Sequence, residues 1–109
     1  MNISPFLGID IADEPEALKE SIVYVVGLRE NKWLAAFICP CGCRSVIKLN
    51  LLKESRPCWR VKIHKSGKVT IEPSVWRIDG CQSHFTIRKG QVNWVNDFDE
   101  ESESLQTLF

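Results

Sequence analysis

The sequence predicts a mainly β protein, a compact antiparallel β-sandwich or small barrel with one short N-terminal helix and a bound zinc. Short runs of β-branched and aromatic residues recur at close spacing, and turn residues separate them. Three of the five cysteines stand on alternate positions within 39–43. The length of 109 residues fits one domain. We therefore expect residues 1–96 to form a single zinc-binding β domain.

The N-terminal third is expected to contain an irregular lead, a helix and a first hairpin. Residues 1–12 show no clear pattern. Acidic residues occupy the first turn of segment 13–20, and Pro15 can stand at an early helical position, so this segment predicts one short helix. Strands are then expected at 22–26 and 33–38, joined by a hairpin turn over 29–32.

The remaining strands follow at short intervals. Apolar and charged residues alternate over 59–64, which is typical of a strand with one buried and one solvated face, and His64 falls on the solvated face. The turn residues Lys89 and Gly90 indicate a hairpin. We expect the four tryptophans to fill the core. Strands are predicted at 45–49, 59–64, 69–71, 85–88 and 91–95.

Composition excludes several classes of protein. The net charge is zero and the isoelectric point is about 6.7, so nothing indicates nucleic-acid binding. No run approaches the roughly 20 apolar residues of a membrane span, and the first residues lack the features of a signal peptide. A cytoplasmic protein with reduced thiols is the expectation. Residues 97–109 form an acidic tail that is predicted to be disordered.

The cysteine pattern predicts a metal site. Cys39, Cys41 and Cys43 lie close together, and Cys81 and His84 stand far downstream at C-x-x-H spacing. Zinc binds thiolate and imidazole groups in tetrahedral geometry, usually from two separated segments. Five candidate ligands compete for four positions, and the spacing leaves open which four bind. Cys58 stands apart and is interpreted as a small buried hydrophobic residue.

The sequence leaves open whether the zinc is structural or catalytic. Four or five good ligands favour a closed structural site, whereas catalysis would require water on the metal or a serine nucleophile beside a base. Ser83 and His84 are adjacent, so on one strand they point to opposite faces and form no dyad. Ser74 can approach His84 across strands. Glu72 and Asp79 are the candidate carboxylates.

Three motifs carry a resemblance to a known family. They are Cys-Pro-Cys-Gly-Cys at 39–43, Pro-Ser-Val-Trp at 73–76 and Gly-Cys-Gln-Ser-His-Phe at 80–85. With the runs between them, they make residues 13–95 resemble a small bacterial family. Its members are encoded in operons with ubiquitin-like proteins, a ThiF-like E1 and an E2-like protein. Arg44 stands where the family pattern has glycine.

The resemblance implies a role in bacterial ubiquitin-like conjugation, often tied to phage defence. It implies a zinc-binding, deubiquitinase-like peptidase that processes the ubiquitin-like protein or removes it from targets. The expected partners are the ubiquitin-like protein and the E1-like and E2-like proteins, with no nucleic acid and no membrane. The alternative is a non-catalytic, zinc-stabilised module that binds one of these partners. A third option is a redox or metal sensor. By position, the implied metal ligands are Cys39, Cys41, Cys43, Cys81 and His84, and the implied catalytic residues are Ser83, Ser74 and His84.

Overall fold

The computed structural model describes residues 4–77, 81 and 83–95, and the backbone of 105–107. These residues form nine strands and, within that described part, no helix. The mainly β class and the two-sheet architecture are confirmed. The strands are β1 (Leu7–Ile11), β2 (Ile22–Leu28), β3 (Asn31–Ile38), β4 (Val46–Asn50), β5 (Arg60–Ile63), β6 (Val69–Arg77), β7 (His84–Arg88), β8 (Gln91–Trp94) and β9 (Leu105–Thr107).

The first sheet has the order β1-β2-β3-β4. The hairpins β2–β3 and β3–β4 are antiparallel, while β1 lies parallel to β2. The tight turn between β2 and β3 contains Arg29 at a φ of 55°. The β3–β4 connection carries the first three cysteines, so this hairpin brings them to one end of the sheet.

The second sheet has the order β5-β6-β7-β8, all antiparallel, and β9 pairs with β6 in parallel. Lys89 and Gly90 make the predicted β7–β8 turn, both at positive φ, as a two-residue hairpin turn of this kind requires. A Cβ at Gly90 would lie 2.9 Å from the carbonyl oxygen of Phe6. The turn therefore packs directly against the residue that precedes β1.

The core lies between the two sheets. Alternate residues of each strand point inward, as the period of two requires. The Phe37 ring on β3 meets the rings of Phe6 and Phe85 edge-on, at centroid distances of 5.9 and 6.3 Å, so the aromatic contacts join the first sheet to the second. The cluster comprises Phe6, Val23, Val25, Ala35, Phe37, Cys39, Ile47, Leu49, Trp59, Val69, Ile71, Val75, Phe85 and Ile87.

Two predictions for the N-terminal region are wrong. Part of the supposed irregular lead is β1, and segment 13–20 forms bends and turns instead of a helix. A helix this short gains little without an apolar face to bury, and Ala17 is exposed. The segment instead crosses from β1 to the parallel β2. Its acidic residues pair with the β3–β4 hairpin, Glu14 with Lys48 at 2.6 Å and Glu20 with Arg44 at 3.9 Å.

The tryptophans divide between the core and the surface. Trp59 is buried, but Trp33 and Trp94 are 40% and 50% exposed, so the prediction that all four fill the core is wrong. Alternation alone does not explain the difference, because Trp94 is paired with the buried Phe85 and Trp33 has the same parity as the buried Ala35 and Phe37. Trp94 is the last residue of β8 and Trp33 lies near the start of β3, so both rings are at strand ends. Trp94 still contacts Phe85 edge-on.

Only 105–107 of the predicted acidic tail lie within the described residues, and they form β9. The prediction of disorder for the rest of the tail falls outside that set. Nowhere in the described part of the chain is there a helix long and apolar enough to cross a membrane.

Candidate active site and thiol cluster

An irregularity in β6 sets the position of Ser74. Ile71 pairs with Ile87 and Val75 with Phe85, so three residues of β6 span the place where β7 has the single residue Thr86. Such a bulge commonly re-aims a side chain beside an active site. Pro73, which has no backbone N–H to contribute to the sheet, lies inside it.

Ser74 and His84 form a buried polar pair, the Ser–His pair. The Oγ of Ser74 lies 3.1 Å from Nε2 of His84, and the two residues are only 8% and 7% exposed. When the hydroxyl donates to Nε2, the imidazole carries its own proton on Nδ1. This is the tautomer in which Nε2 can accept the serine proton.

Trp76 fixes the plane of the imidazole. It is the Cα partner of His84 across the β6–β7 pair, and residues directly opposite share a face of the sheet. The two rings stack at a centroid distance of 5.0 Å with 13° between their planes. An indole face also attracts a cation, so it stabilises the imidazolium that forms when His84 takes a proton.

The backbone at Ser74 is anchored from the core. The indole Nε1 of the buried Trp59 donates to the carbonyl oxygen of Ser74 at 3.2 Å. Trp59 is itself positioned by a backbone bond to the carbonyl of Asn50, whose side-chain amide donates to three carbonyls of the 51–58 loop. A hydrogen-bonded chain from the first sheet thus holds the bulge that carries Ser74.

Four thiols meet beside this pair and form the thiol cluster, Cys39, Cys41, Cys43 and Cys81. Their Sγ atoms all lie within 4.8 Å of one another. Cys39 directly follows β3, and Cys41 and Cys43 lie further along the same β3–β4 connection, where Gly42 turns the chain at a φ of 97°. Cys81 comes from the β6–β7 connection. The cluster therefore joins the first sheet to the second.

The thiol cluster has the dimensions of a tetrahedral metal site. A zinc–sulfur distance of about 2.3 Å requires sulfur–sulfur separations of about 3.8 Å. The Sγ of Cys39 lies 3.5 Å from that of Cys41 and 3.6 Å from that of Cys81. The backbone N–H of Cys43 donates to the Cys41 sulfur. All five cysteines are free thiols, so this donor set fits a thiophilic metal ion.

Arg77 and Ser83 surround the cluster with donors. Nη1 of the buried Arg77 lies 3.8 Å from the Cys43 sulfur and 3.6 Å from the Cys81 sulfur. Ser83 Oγ lies 3.1 Å from the Cys81 sulfur. Four thiolates around a divalent cation carry a net charge of about −2, and the guanidinium offsets part of it.

The thiols differ in acidity. Burial raises the pKa of Cys39 to about 12. Hydrogen bonds from the side chain and backbone of Ser45 lower the pKa of Cys43 to about 6. Burial acts to raise the pKa of Cys81, but hydrogen bonds from Ser83 and from neighbouring thiols outweigh it and lower this pKa. Nearby thiolate charge raises the pKa of Arg77 despite its burial.

The predicted site residues thus fall into two groups. Cys39, Cys41, Cys43 and Cys81 come together, and Ser83 lies against their sulfurs. The Nε2 atom of His84 instead contacts the hydroxyl of Ser74, and His84 is not part of the group formed by the four thiols.

The other predicted candidates lie elsewhere or outside the described set. The Glu72 carboxylate pairs with Arg60 at 3.2 Å, and Asp79 lies outside the described residues. Cys58, which is half-buried, is not part of the cluster.

Sequence reasoning missed the roles of Trp76 and Arg77. Trp76 ends the Pro-Ser-Val-Trp motif that contains Ser74, and Arg77 directly follows it. An arginine that follows the apolar Val75 and Trp76 and stands close in sequence to a cysteine motif was the available signal for a group that faces thiolates. The stacking of Trp76 on His84 needs the β6–β7 register, which the sequence does not provide.

A family model for the bacterial ubiquitination-like system serine protease, BubE, matches residues 11–95. The chain belongs to the BubE family. The match covers all three motifs and includes every residue of the Ser–His pair and the thiol cluster. No curated protein and no solved structure matches the chain significantly. The BubE assignment places the chain in a bacterial ubiquitination-like system, as the resemblance implied.

Proposed function

We propose that the chain is a zinc-stabilised serine protease that processes a ubiquitin-like precursor or removes the ubiquitin-like protein from its targets. Ser74 is the nucleophile and His84 the general base. The observation that carries the proposal is the 3.1 Å contact between Ser74 Oγ and His84 Nε2, with both residues buried. The BubE family description, which names a serine protease, supports the same reaction class.

The reaction follows from the positions of these two groups. Ser74 Oγ attacks the scissile carbonyl carbon while its proton passes to His84 Nε2. The tetrahedral intermediate collapses, the carbon–nitrogen bond breaks, and the leaving amine takes the proton from Nε2. Water then attacks the acyl ester and gives a proton to Nε2, and Ser74 recovers that proton as the carboxylate product leaves. Trp76 stabilises the imidazolium between these steps.

In this proposal the thiol cluster holds a structural zinc. Four thiolates fill the four tetrahedral positions, so no position remains for an activating water or for His84. Of the five predicted ligands, His84 is the one that serves elsewhere. Ser83 has the role of a hydrogen-bond donor to the Cys81 thiolate rather than that of a nucleophile. The proposed partners are the ubiquitin-like protein as substrate and the E1-like and E2-like proteins of the same system.

A pair of serine variants tests the proposal. The substrate is the ubiquitin-like protein encoded beside the chain, extended by several residues beyond its mature C-terminus. Ser74→Ala is expected to abolish cleavage, a loss of roughly 10⁴-fold or more, and His84→Gln to do nearly the same. Ser83→Ala is the matched control, because its hydroxyl is equally buried but lies on the thiol cluster. It is expected to retain most of the activity.

A chemical probe gives an independent answer. A fluorophosphonate reagent is expected to modify Ser74 in the parent chain and in Ser83→Ala, but to leave Ser74→Ala unmodified, as read by mass spectrometry of the labelled peptide. Modification of Ser83, or cleavage that survives Ser74→Ala, would refute the assignment. If a correctly folded, zinc-loaded chain shows no cleavage and no labelling, the result would favour the non-catalytic module that binds E1, E2 or the ubiquitin-like protein.

A further inference from the structure

One edge of β6 changes partners beside Ser74. β5 pairs with β6 from Val69 to Glu72 and extends no further. β7 pairs with β6 as far as Trp76, so it occupies the opposite edge. From Val75 to Arg77 the edge that β5 leaves is taken by β9 instead. A sheet edge therefore becomes available to another strand one residue after the proposed nucleophile.

The pairing at this edge is a strand addition by a distant part of the chain. Leu105 pairs with Val75 and Thr107 with Arg77, in parallel. Such pairing uses backbone N–H and C=O groups, so an edge that accepts one extended segment can accept another of different sequence. At three residues β9 is at the short end of the range for strands, and its length favours exchange.

We propose that the edge of β6 at Val75–Arg77 is the docking edge for the extended polypeptide segment of the substrate, and that β9 occupies it in the resting chain. The inference rests on the proposed function, since it is the position of Ser74 that gives the edge its role. A segment added there runs beside the Ser–His pair and is held in one direction by the sheet. Because β9 is tethered, it competes at a high effective concentration, and cleavage requires it to leave.

The kinetic test uses the full chain with a single proline. Gln106→Pro removes a backbone N–H from the middle of β9 and breaks its pairing. Ser102→Pro, in the same tail but outside β9, is the matched control. Gln106→Pro is expected to lower the KM for the ubiquitin-like precursor several-fold with kcat unchanged, and Ser102→Pro to match the parent. A KM that is unchanged or higher in Gln106→Pro would overturn the proposal.

A binding experiment tests whether the β6 edge accepts a strand, independently of any cleavage. A fluorescent peptide with the sequence of residues 103–109 is added to chains that also carry Ser74→Ala. By fluorescence anisotropy, the peptide is expected to bind the chain with Gln106→Pro at least tenfold more tightly than it binds the chain with the unchanged tail. Amide hydrogen exchange in 75–77 is expected to increase in Gln106→Pro and to return to the parental rate when the peptide is added.

The outcomes separate this proposal from the assignment of the nucleophile. If the peptide binds Gln106→Pro but no chain cleaves the precursor, the docking edge is supported and the assignment of Ser74 as nucleophile is refuted. Cleavage that depends on Ser74, with no peptide binding and unchanged exchange in 75–77, would refute the docking edge alone. If Gln106→Pro dimerises, as size-exclusion chromatography would show, the edge accepts a second copy, and the proposed polypeptide substrate is wrong.

Discussion

The Ser–His pair and the thiol cluster both involve the β6–β7 region, yet they are built differently. Ser74 and His84 face each other within one sheet, and both are nearly inaccessible. The four cysteines come from both sheets, and Cys41 and Cys43 are exposed. Between them, the backbone N–H of Arg77 donates to the carbonyl of Ser83 at 2.8 Å and closes the connection.

This difference indicates a division of work. Cys81 is three positions before His84, so the cluster holds the β6–β7 connection close to His84. Arg77, which contacts the Cys81 sulfur, is three positions after Ser74 and holds the other end of that connection. A site with four sulfur ligands is closed, whereas the pair places a hydroxyl within hydrogen-bonding distance of an imidazole that lies outside the cluster. In our proposal the metal maintains geometry and the pair performs the reaction. Changes to the cluster should therefore affect folding first, and changes around the pair should affect the rate first.

Loss of a cluster ligand should have the largest effect. Cys81→Ser is expected to unfold the chain, because a structural zinc contributes on the order of 10 kcal/mol, comparable to the stability of a whole domain. Circular dichroism and zinc content by elemental analysis measure the result. Cys58→Ser is the matched control, since this half-buried thiol is outside the cluster. A folded Cys81→Ser chain with one zinc bound would show that Cys81 is not a ligand.

The next largest effect is expected at the Ser–His pair. Trp76→Ala removes the ring that stacks on His84, so the imidazole loses its fixed plane. We expect kcat to fall roughly 10-fold to 100-fold, as misplaced catalytic groups typically cause, while the zinc content stays at one per chain. Trp76→Phe keeps an aromatic face and should recover most of the rate. Loss of zinc in Trp76→Ala would mean that the two regions are not separable.

Metal affinity should depend on pH through the cluster alone. With a pKa of about 12, Cys39 is protonated at pH 7 in the metal-free chain, whereas Cys43, with a pKa of about 6, is a thiolate. Zinc binding to four thiolates must therefore displace at least the Cys39 proton, and below pH 6 it must displace that of Cys43 as well. Affinity should fall by roughly tenfold per pH unit for each proton displaced, and more steeply below pH 6.

Competition with a chelator at pH 7.5, 6.5 and 5.5 measures this profile. Calorimetry in buffers of different ionisation enthalpy gives the number of protons released on zinc binding at pH 7.5. Cys58→Ser should give the same profile as the parent chain. An affinity that does not change over this range would mean that the bound ion does not need the Cys39 thiolate.

Whether a strand or turn could be predicted from the sequence depends on whether a few neighbouring residues determine it. The strands with clear alternation, such as 60–63, and the Lys89–Gly90 turn follow from patterns of a few residues, and both are confirmed. The strand predicted at 69–71 is too short, because β6 continues to Arg77 through the bulge that contains Pro73. The pairing of β1 with β2 depends on register across a long crossover, which leaves no periodic signal.

The site shows the same limit. Thiols on alternate positions identify the cluster because metal ligation demands that residue type at close spacing. The sequence allowed His84 to belong to either region. Only the register that places Trp76 opposite His84, with Ser74 re-aimed by the bulge, separates it from the cysteines. The ambiguity was physical, since imidazole is both a good zinc ligand and a good base.

The smallest expected effect concerns two arginines held in the left-handed region, one in each hairpin of the first sheet. Arg44 ends the cysteine loop at a φ of 66°, and Arg29 lies in the β2–β3 turn at 55°. This conformation suits glycine, and the exposed ion pair of Arg44 with Glu20 adds little. Arg44→Gly and Arg29→Gly should each raise the free energy of unfolding by about 0.5–1 kcal/mol, measured by chemical denaturation of the zinc-loaded chain. Only Arg44→Gly should also change zinc affinity, by relaxing the loop that carries Cys41 and Cys43. An equal change of affinity in Arg29→Gly would show that the cluster responds to the stability of the whole first sheet rather than to its own loop.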